Sequence, residues 1–343
     1  MRDRREAART DQRMSLPDPL YPLEEVEAET AFGAILDGKV PDGEIAAFLV
    51  ALSDRGETAS EIAGAARAMR ARMIPVSAPE NAIDVCGTGG DGHHTLNVST
   101  AVSLVVAACD VPVAKHGNRA ASSKAGAADT LEALGLDLDR AAETAESTLA
   151  EIGICFLFAA KHHPAMGRIM PIRKAIGRRT IFNLMGPLAN PAGVRRQLVG
   201  IARPAYVPIY AEALARLGTD HSMVISGDEG LDELSLAGGN EVAEVRGTEI
   251  SMRRVTPQDA GLSVAPVDAI RGGDAAFNAA ALRALLQGEP GPYRDAVLFN
   301  AAGALIVAGE AQSWTEGVEE AAEAIDKGLA NALLNCWIDA TKG

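Results

Sequence analysis

The chain has 343 residues, 48% of them hydrophobic and only 4% aromatic, with a formal net charge of −14. That length supports one large domain plus a small one with buried cores, and a mean hydropathy of +0.06 with a pI of about 4.9 places it among ordinary globular proteins. The charge excludes nucleic acid and anionic membrane as general partners, so any polyanionic small molecule must be held by a local arrangement working against the overall field.

Residues 1–14 carry five Arg and no core pattern, which predicts a disordered tail. From residue 15 to about residue 80 apolar residues recur at three- and four-residue steps, over Leu23–Leu36, Asp42–Ser53 and Thr58–Met73, and predict a small helical domain. At Ala82 the pattern changes. Ala82–Cys86 reads as a short buried strand, followed by a Gly-rich loop and an apolar helix over Val98–Cys109. A strand at Val111–Lys115, helices at Ala128–Leu134 and Ala141–Ile152, and a strand at Ile154–Ala159 come next. Further strands are expected at Gln197–Ile201, Met223–Ser226 and within Glu241–Val255. Helices are expected at Val207–Leu217, Ala275–Leu286, Asp295–Ala308 and from about Glu316 to Trp337. Strands alternating with helices predict an α/β domain over residues 81–343 with a mostly parallel central sheet. Pro164–Pro191 looks helical again, and packing back on the N-terminal helices would complete the small domain. The cysteines Cys86, Cys109, Cys155 and Cys336 form no CxxC pair and read as free, buried thiols. Val98–Cys109 is too short and too polar to span a membrane, so a soluble, cytoplasmic chain is expected.

Five stretches carry chemistry. Gly87-Thr88-Gly89-Gly90-Asp91-Gly92 formally matches a dinucleotide fingerprint. It fails that context, because His93 to Leu96 separate it from the helix and no acidic residue ends the next strand. Asn97-Val98-Ser99-Thr100 follows at a helix start, where capping explains any one polar residue; joined to the glycine loop, the group suits a pyrophosphate, with a hydroxyl able to ligate magnesium. Lys115 to Ser123 places Lys115 and Arg119 among Gly117, Asn118, Ser122 and Ser123, directly after a predicted strand, as a phosphate-wrapping loop or a solvated basic one. Asp232-Glu233 is either a solvated acidic loop or, beside phosphates, a magnesium site. Across Lys161 to Asn183 most basic residues read as surface, and His162-His163, like His93-His94, lacks a third ligand at zinc spacing.

In this order, Gly87–Gly92, Asn97–Thr100, Lys115–Ser123, His163–Met166, Arg179–Pro191 and Asp232–Ser235 resemble the anthranilate phosphoribosyltransferases, over about residues 15–340. The resemblance implies a small helical domain and a larger α/β domain like that of nucleoside phosphorylases, with the site between them, and a homodimer joined through the helical domain. It implies magnesium as cofactor, and phosphoribosyl pyrophosphate and anthranilate as substrates, in tryptophan synthesis. Carried over by motif, Gly87, Gly90, Asp91, Thr95, Asn97, Val98, Ser99 and Thr100 would meet phosphoribosyl pyrophosphate. So would Lys115, His116, Gly117, Asn118, Arg119, Ala120, Ala121, Ser122, Ser123 and Ala127. Gly87, Asn118 and Arg173 would contact anthranilate, with Arg173 on its carboxylate and His116, His163 and Pro187 lining its channel. Ser99, Asp232 and Glu233 would hold magnesium, and Lys115, Asp232 and Glu233 would be the catalytic groups. Ala127 stands where relatives often have serine, and Gly238-Gly239-Asn240 where many have Gly-Pro-Thr, so no role passes to the latter. A pyrimidine nucleoside phosphorylase is the rival enzyme, but its first loop should carry a lysine, and none occurs between Arg72 and Lys115. A nucleic-acid-binding relative that has lost catalysis is opposed by the charge of −14.

Overall fold

The computed structural model describes residues 15–120 and 124–342; the tail 1–14, Ala121, Ser122, Ser123 and Gly343 lie outside the described residues. The chain begins with helices α1 (Glu25–Leu36), α2 (Asp42–Arg55) and α3 (Ala59–Arg70). At the start of α3 the Thr58 hydroxyl accepts the Glu61 N–H, and the Glu61 carboxylate accepts the Thr58 N–H at 2.8 Å, satisfying two end groups at once. Helices α1 and α3 cross closely because Gly64 faces α1, where a Cβ would lie 2.4 Å from the Glu25 carbonyl oxygen.

A seven-stranded sheet forms the larger part: β1 (Ile83–Gly87), β2 (Val113–Gly117), β3 (Ile154–Phe158), β4 (Arg196–Gly200), β5 (His221–Gly227), β6 (Asn240–Arg246) and β7 (Glu249–Val255). Their spatial order is β3-β2-β1-β4-β5-β6-β7, with the first five parallel and β6 antiparallel to both neighbours. The connecting helices are α4 (Val98–Ala107), α5 (Ala127–Leu134), α6 (Leu138–Glu143), α7 (Ala145–Ile152), α8 (Ala159–His162), α9 (Met166–Ile176) and α10 (Val207–Arg216). After β7 come α11 (Ala275–Leu286), α12 (Pro292–Ala308), α13 (Trp314–Asp326) and α14 (Leu329–Thr341).

Side-chain alternation along the strands assigns each face to a different core. Leu198, Met223 and Ile225 pack with α4, α12 and α14, while Val199 and Val224 pack with α10 and the N-terminal helices. Ile169, Ile172, Ile181 and Phe182, from the stretch 164–191, bury in that second core, and the Phe182 ring meets Phe32 edge-on at 5.8 Å.

Several boundaries differ from the sequence expectation. Strand β2 starts at Val113 because Pro112 has no N–H to give, and the Val113 N–H takes the Gly153 carbonyl at 2.8 Å. The strand runs on to Gly117, so Lys115 lies in mid-strand and not at its end. The stretch Glu241–Val255 is a hairpin turning at Gly247 (φ +60), which makes that edge of the sheet antiparallel. Thr144 interrupts the expected helix Ala141–Ile152, and Gly328 (φ +73) divides the last one into α13 and α14. All four cysteines are free, but only Cys155 is fully buried and Cys336 is exposed, its side of α14 facing outward. Among the described residues no helix is long and apolar enough to cross a membrane.

Candidate active site

Strands β1, β2, β4 and β5 each end on a glycine, Gly87, Gly117, Gly200 and Gly227, and the loops leaving these ends gather most of the expected site residues. The acidic loop folds back across them. A Cβ at Gly200 would lie 1.6 Å from the Asp232 carbonyl oxygen, and one at Gly87 would lie 2.3 Å from the Asp232 carboxylate, so bare backbone at both positions lets this loop seat. The Asp232 carboxylate accepts the Gly89 N–H at 2.6 Å, and that of Glu233 accepts the Ser99 N–H at 3.2 Å. Glu233 thus takes one of the open N–H groups in the first turn of α4, where the helix dipole favours a negative charge. Val98 is buried beneath this turn, and the buried Thr100 hydroxyl has no partner among the described residues.

Asn97 precedes α4 but makes no capping bond. Its Oδ1 accepts from Thr130 Oγ1 at 2.6 Å and from Asn278 Nδ2 at 2.8 Å, and its Nδ2 donates to the Ala125 carbonyl at 3.3 Å. The side chain braces the loop against α5 and α11, so capping, the simple alternative for this residue, does not apply to Asn97. Thr95 is bridged to Arg271 on the same side.

Lys115, only 2% exposed, donates to the Val85 carbonyl at 2.9 Å and lies 3.5 Å from Ser99 Oγ. Burial pulls its pKa down, and Asp84 pulls it back up. Asp84 is itself fully buried and accepts from the His116 N–H at 3.1 Å, Asn190 Nδ2 at 2.8 Å and Cys86 Sγ at 3.3 Å. Burial raises the pKa of Asp84 all the same, and Asp232 and Glu233 accept only one backbone N–H each among the described residues. Burial and then the nearby negative Asp91 raise the pKa of Asp232; burial and then Asp232 raise that of Glu233, which Lys115 only partly offsets. Asp91 also accepts the His93 N–H at 3.1 Å, closing the end of the glycine loop.

On the other side, His116 Nδ1 meets the Gly186 carbonyl at 3.0 Å and its Nε2 lies 3.2 Å from His163 Nε2. The Gly186 carbonyl makes Nδ1 the donor of His116, so His163 supplies the proton between the rings. Burial lowers both pKa values, to about 3 for His116 and about 4 for His163, leaving a neutral wall beside the buried Pro187. The Arg173 guanidinium on α9 has Met170 Sδ, at 3.8 Å, as its only polar contact among the described residues, and burial lowers its pKa. It is a cation with no carboxylate partner among the described residues.

Some expected residues face elsewhere. Arg119 Nη1 is held by Asp129 at 2.9 Å and Glu132 at 2.8 Å on α5, and Asn118 Oδ1 accepts the Arg119 N–H at 2.8 Å. The Ala120 N–H also goes to Asp129, at 2.9 Å, and Ala127 opens α5. Other residues had no assigned role in the sequence reading. Gly200 and Asn278 lie outside every motif and carry no sequence signal, whereas Asp84, a charge inside an apolar strand, is a signal that was open to reading. Arg179, the first residue of the motif Arg179–Pro191 but given no role, donates through Nη1 to the carbonyls of Gly89 at 3.2 Å and Gly90 at 2.8 Å.

Comparison with known proteins bears on the family and the fold. Residues 79–331 match the Glycosyl transferase family, a/b domain, and residues 21–73 match the Glycosyl transferase family, helical bundle domain. The chain is similar to the anthranilate phosphoribosyltransferase of Novosphingobium aromaticivorans, 86% identical over 95% of this chain and 98% of the relative. It is similar in structure to the anthranilate phosphoribosyltransferase (TrpD) of Thermus thermophilus, with a TM-score of 0.88 and 44% identity over 94% of this chain and 97% of that one. The Saccharomyces cerevisiae enzyme in complex with PRPP and Mg aligns with a TM-score of 0.85 and 28% identity over 93% of each chain. With matches of this breadth over both of its parts, the chain belongs to the anthranilate phosphoribosyltransferase family.

Proposed function

We propose that this chain transfers the phosphoribosyl group of phosphoribosyl pyrophosphate to the amine of anthranilate, releasing pyrophosphate and giving N-(5-phosphoribosyl)anthranilate for tryptophan synthesis. One observation carries the reading of the site. Asp232 and Glu233 dock onto the glycine loop and the first turn of α4, beside buried Lys115, so that an acidic loop, a phosphate loop and a cation share one surface.

Anthranilate's amine is uncharged at neutral pH and needs no strong base before it attacks ribose C1. The demand falls on the leaving pyrophosphate and on the positive charge that develops on the sugar. Lys115 and the positive end of the α4 dipole would take the charge growing on pyrophosphate. Arg173 would hold the anthranilate carboxylate by a charge-assisted bond, and the neutral His116–His163 wall would flank its ring. Ser99, Asp232 and Glu233 fit magnesium: two carboxylates whose charges are only partly offset within the protein, beside a hydroxyl. Magnesium would take its other ligands from phosphate and water. When bound it would supply charge neutralisation on the pyrophosphate oxygens. Gly87, Gly90, Asp91, Thr95, Asn97 and Lys115 to Ser123 would frame the phosphoribosyl group, Arg119 only after leaving Asp129 and Glu132. We further propose that the segment 164–191 belongs with the helical domain, that the protein acts as a cytoplasmic homodimer, and that domain approach excludes water from the reacting sugar.

The test is the loss of anthranilate fluorescence on adding phosphoribosyl pyrophosphate and magnesium chloride. Loss that requires both additions supports the proposal. No loss, together with phosphate-dependent cleavage of a pyrimidine nucleoside, would replace it with the phosphorylase reading.

A further inference from the structure

We infer that Arg179 is a positioning residue for phosphoribosyl transfer: by drawing the carbonyls of Gly89 and Gly90 to itself, it turns the N–H groups of Gly90 and Asp91 outward as an anion cradle for the pyrophosphate. The inference rests on the function proposed above.

In a trans peptide the C=O and the following N–H point in opposite directions. Arg179 Nη1 lies 3.2 Å from the Gly89 oxygen and 2.8 Å from the Gly90 oxygen, so the N–H groups of the next residues, Gly90 and Asp91, face away from the guanidinium. Neither N–H has a protein acceptor among the described residues. Gly89 and Gly90 have φ of +69° and +73°, and a Cβ at Gly90 would lie 2.8 Å from Arg179 Nη1. Successive N–H groups presented by such a turn form a concave anion site. On its near side the same turn is fixed by the bond from Gly89 N–H to Asp232 at 2.6 Å.

The anchor behind Arg179 is firm. Its carbonyl accepts Ser53 Oγ from α2 at 3.1 Å, and the following Ile181 and Phe182 bury in the core shared with the N-terminal helices. Its neighbour Arg178 pairs with Asp54, whereas the Arg179 guanidinium has no ion-pair partner among the described residues and is spent on carbonyls. A small open cleft lined in part by Ser53, Glu57, Thr180 and Arg203 lies against it.

Arg179→Ala and Arg179→Lys test the role. Affinity for phosphoribosyl pyrophosphate and for inorganic pyrophosphate, each with magnesium chloride, is measured by calorimetry, and KM for each substrate by the fluorescence assay. Losing the cradle's orientation should weaken both phosphate ligands by on the order of tenfold or more and leave the anthranilate KM unchanged. Methylguanidinium should restore part of the affinity in Arg179→Ala, and Arg179→Lys, a point charge without the fork, should fall between. Unchanged phosphate affinity in either variant overturns the inference. So does a joint rise of both KM values without rescue, which would mean that the segment carrying Arg173 has simply shifted. If Arg179→Ala does not fold, Arg179→Lys decides the matter by the same split. A wild type that consumes no anthranilate would instead take down the functional reading, and this inference with it.

Discussion

Replacing Asp232 by Asn and Glu233 by Gln keeps an oxygen to accept from Gly89 and from Ser99, and removes only charge. In the ligand-free protein that charge is a burden, because burial and mutual repulsion with Asp91 raise both carboxyls above their ordinary range. Each pKa unit corresponds to about 1.4 kcal/mol. Both side chains are partly reached by solvent, so we expect the ligand-free double variant to gain on the order of 1–3 kcal/mol, or roughly 2–6 °C in Tm. The sign follows from linkage: an acid whose folded pKa is raised stabilises below its unfolded pKa, and that contribution is lost as pH rises through the folded value. The gain should therefore be present near neutral pH and vanish toward pH 4. Turnover should move the opposite way. If the pair holds magnesium against pyrophosphate, kcat should fall by about 10²–10³-fold, and the magnesium dependence should shift to higher concentration, since neutral amide oxygens are weaker ligands. Calorimetric scans without magnesium give the first quantity. Magnesium titrations at saturating phosphoribosyl pyrophosphate give the second. Superimposable titration curves with unaltered kcat would refute the metal role and leave a solvated acidic loop.

Arg173→Ala should raise the KM for anthranilate by roughly ten- to a hundredfold, the value of a charge-assisted bond, and spare that for phosphoribosyl pyrophosphate; equal effects would make Arg173 structural. Gly200→Ala puts a methyl group 1.6 Å from the Asp232 carbonyl oxygen and should cost about 1–3 kcal/mol, with a larger loss of activity than of stability in urea unfolding; wild-type activity would show that the acidic loop seats without this contact. His116 and His163 have folded pKa values of about 3 and about 4 against 6.5, so their contribution is present above pH 6.5 and lost as pH falls toward the folded values. Unfolding free energy should drop by about 1.4 kcal/mol per pH unit per histidine in that window, and His163→Gln should lessen the slope by one proton; an unaltered slope would mean that the ring is protonated in the folded protein.

What the sequence disclosed follows from how local each signal is. The strand at Ile83 and the helix at Val98 were legible because apolar runs bounded by glycine and polar residues carry their own period. The hairpin of β6 and β7 was less so, because Gly247 is the only break in a stretch whose composition suits one long strand. At the site, Lys115, Asp232 and the glycine loop announced themselves by residue type at strand ends. The partners they use did not. Asn278 stands 181 residues from Asn97, and Arg179 stands 90 from Gly89, so the bonds joining them depend on how helices and loops pack. Arg119 shows the reverse case: its type suits phosphate, but no sequence signal tells that Asp129 and Glu132 on α5 hold it in the ligand-free protein.

The apparent conflict between a protein of net charge −14 and a polyanionic substrate is resolved at the level of individual side chains. Burial shifts the groups around the site in both directions: Lys115, Arg173 and Arg179 are pushed toward losing their protons, while Asp232 and Glu233 are pushed toward gaining them. Each of these groups would be relieved by a ligand of opposite charge, and neither sign alone would relieve them all. A pyrophosphate arriving without a cation would face Asp232 and Glu233, and a cation arriving without pyrophosphate would face Lys115 and Arg179. A phosphate group already paired with a divalent cation satisfies both sets at once. The local field thus favours the paired species over either component, whatever the sign of the distant surface charge, which salt screens beyond about 8–10 Å.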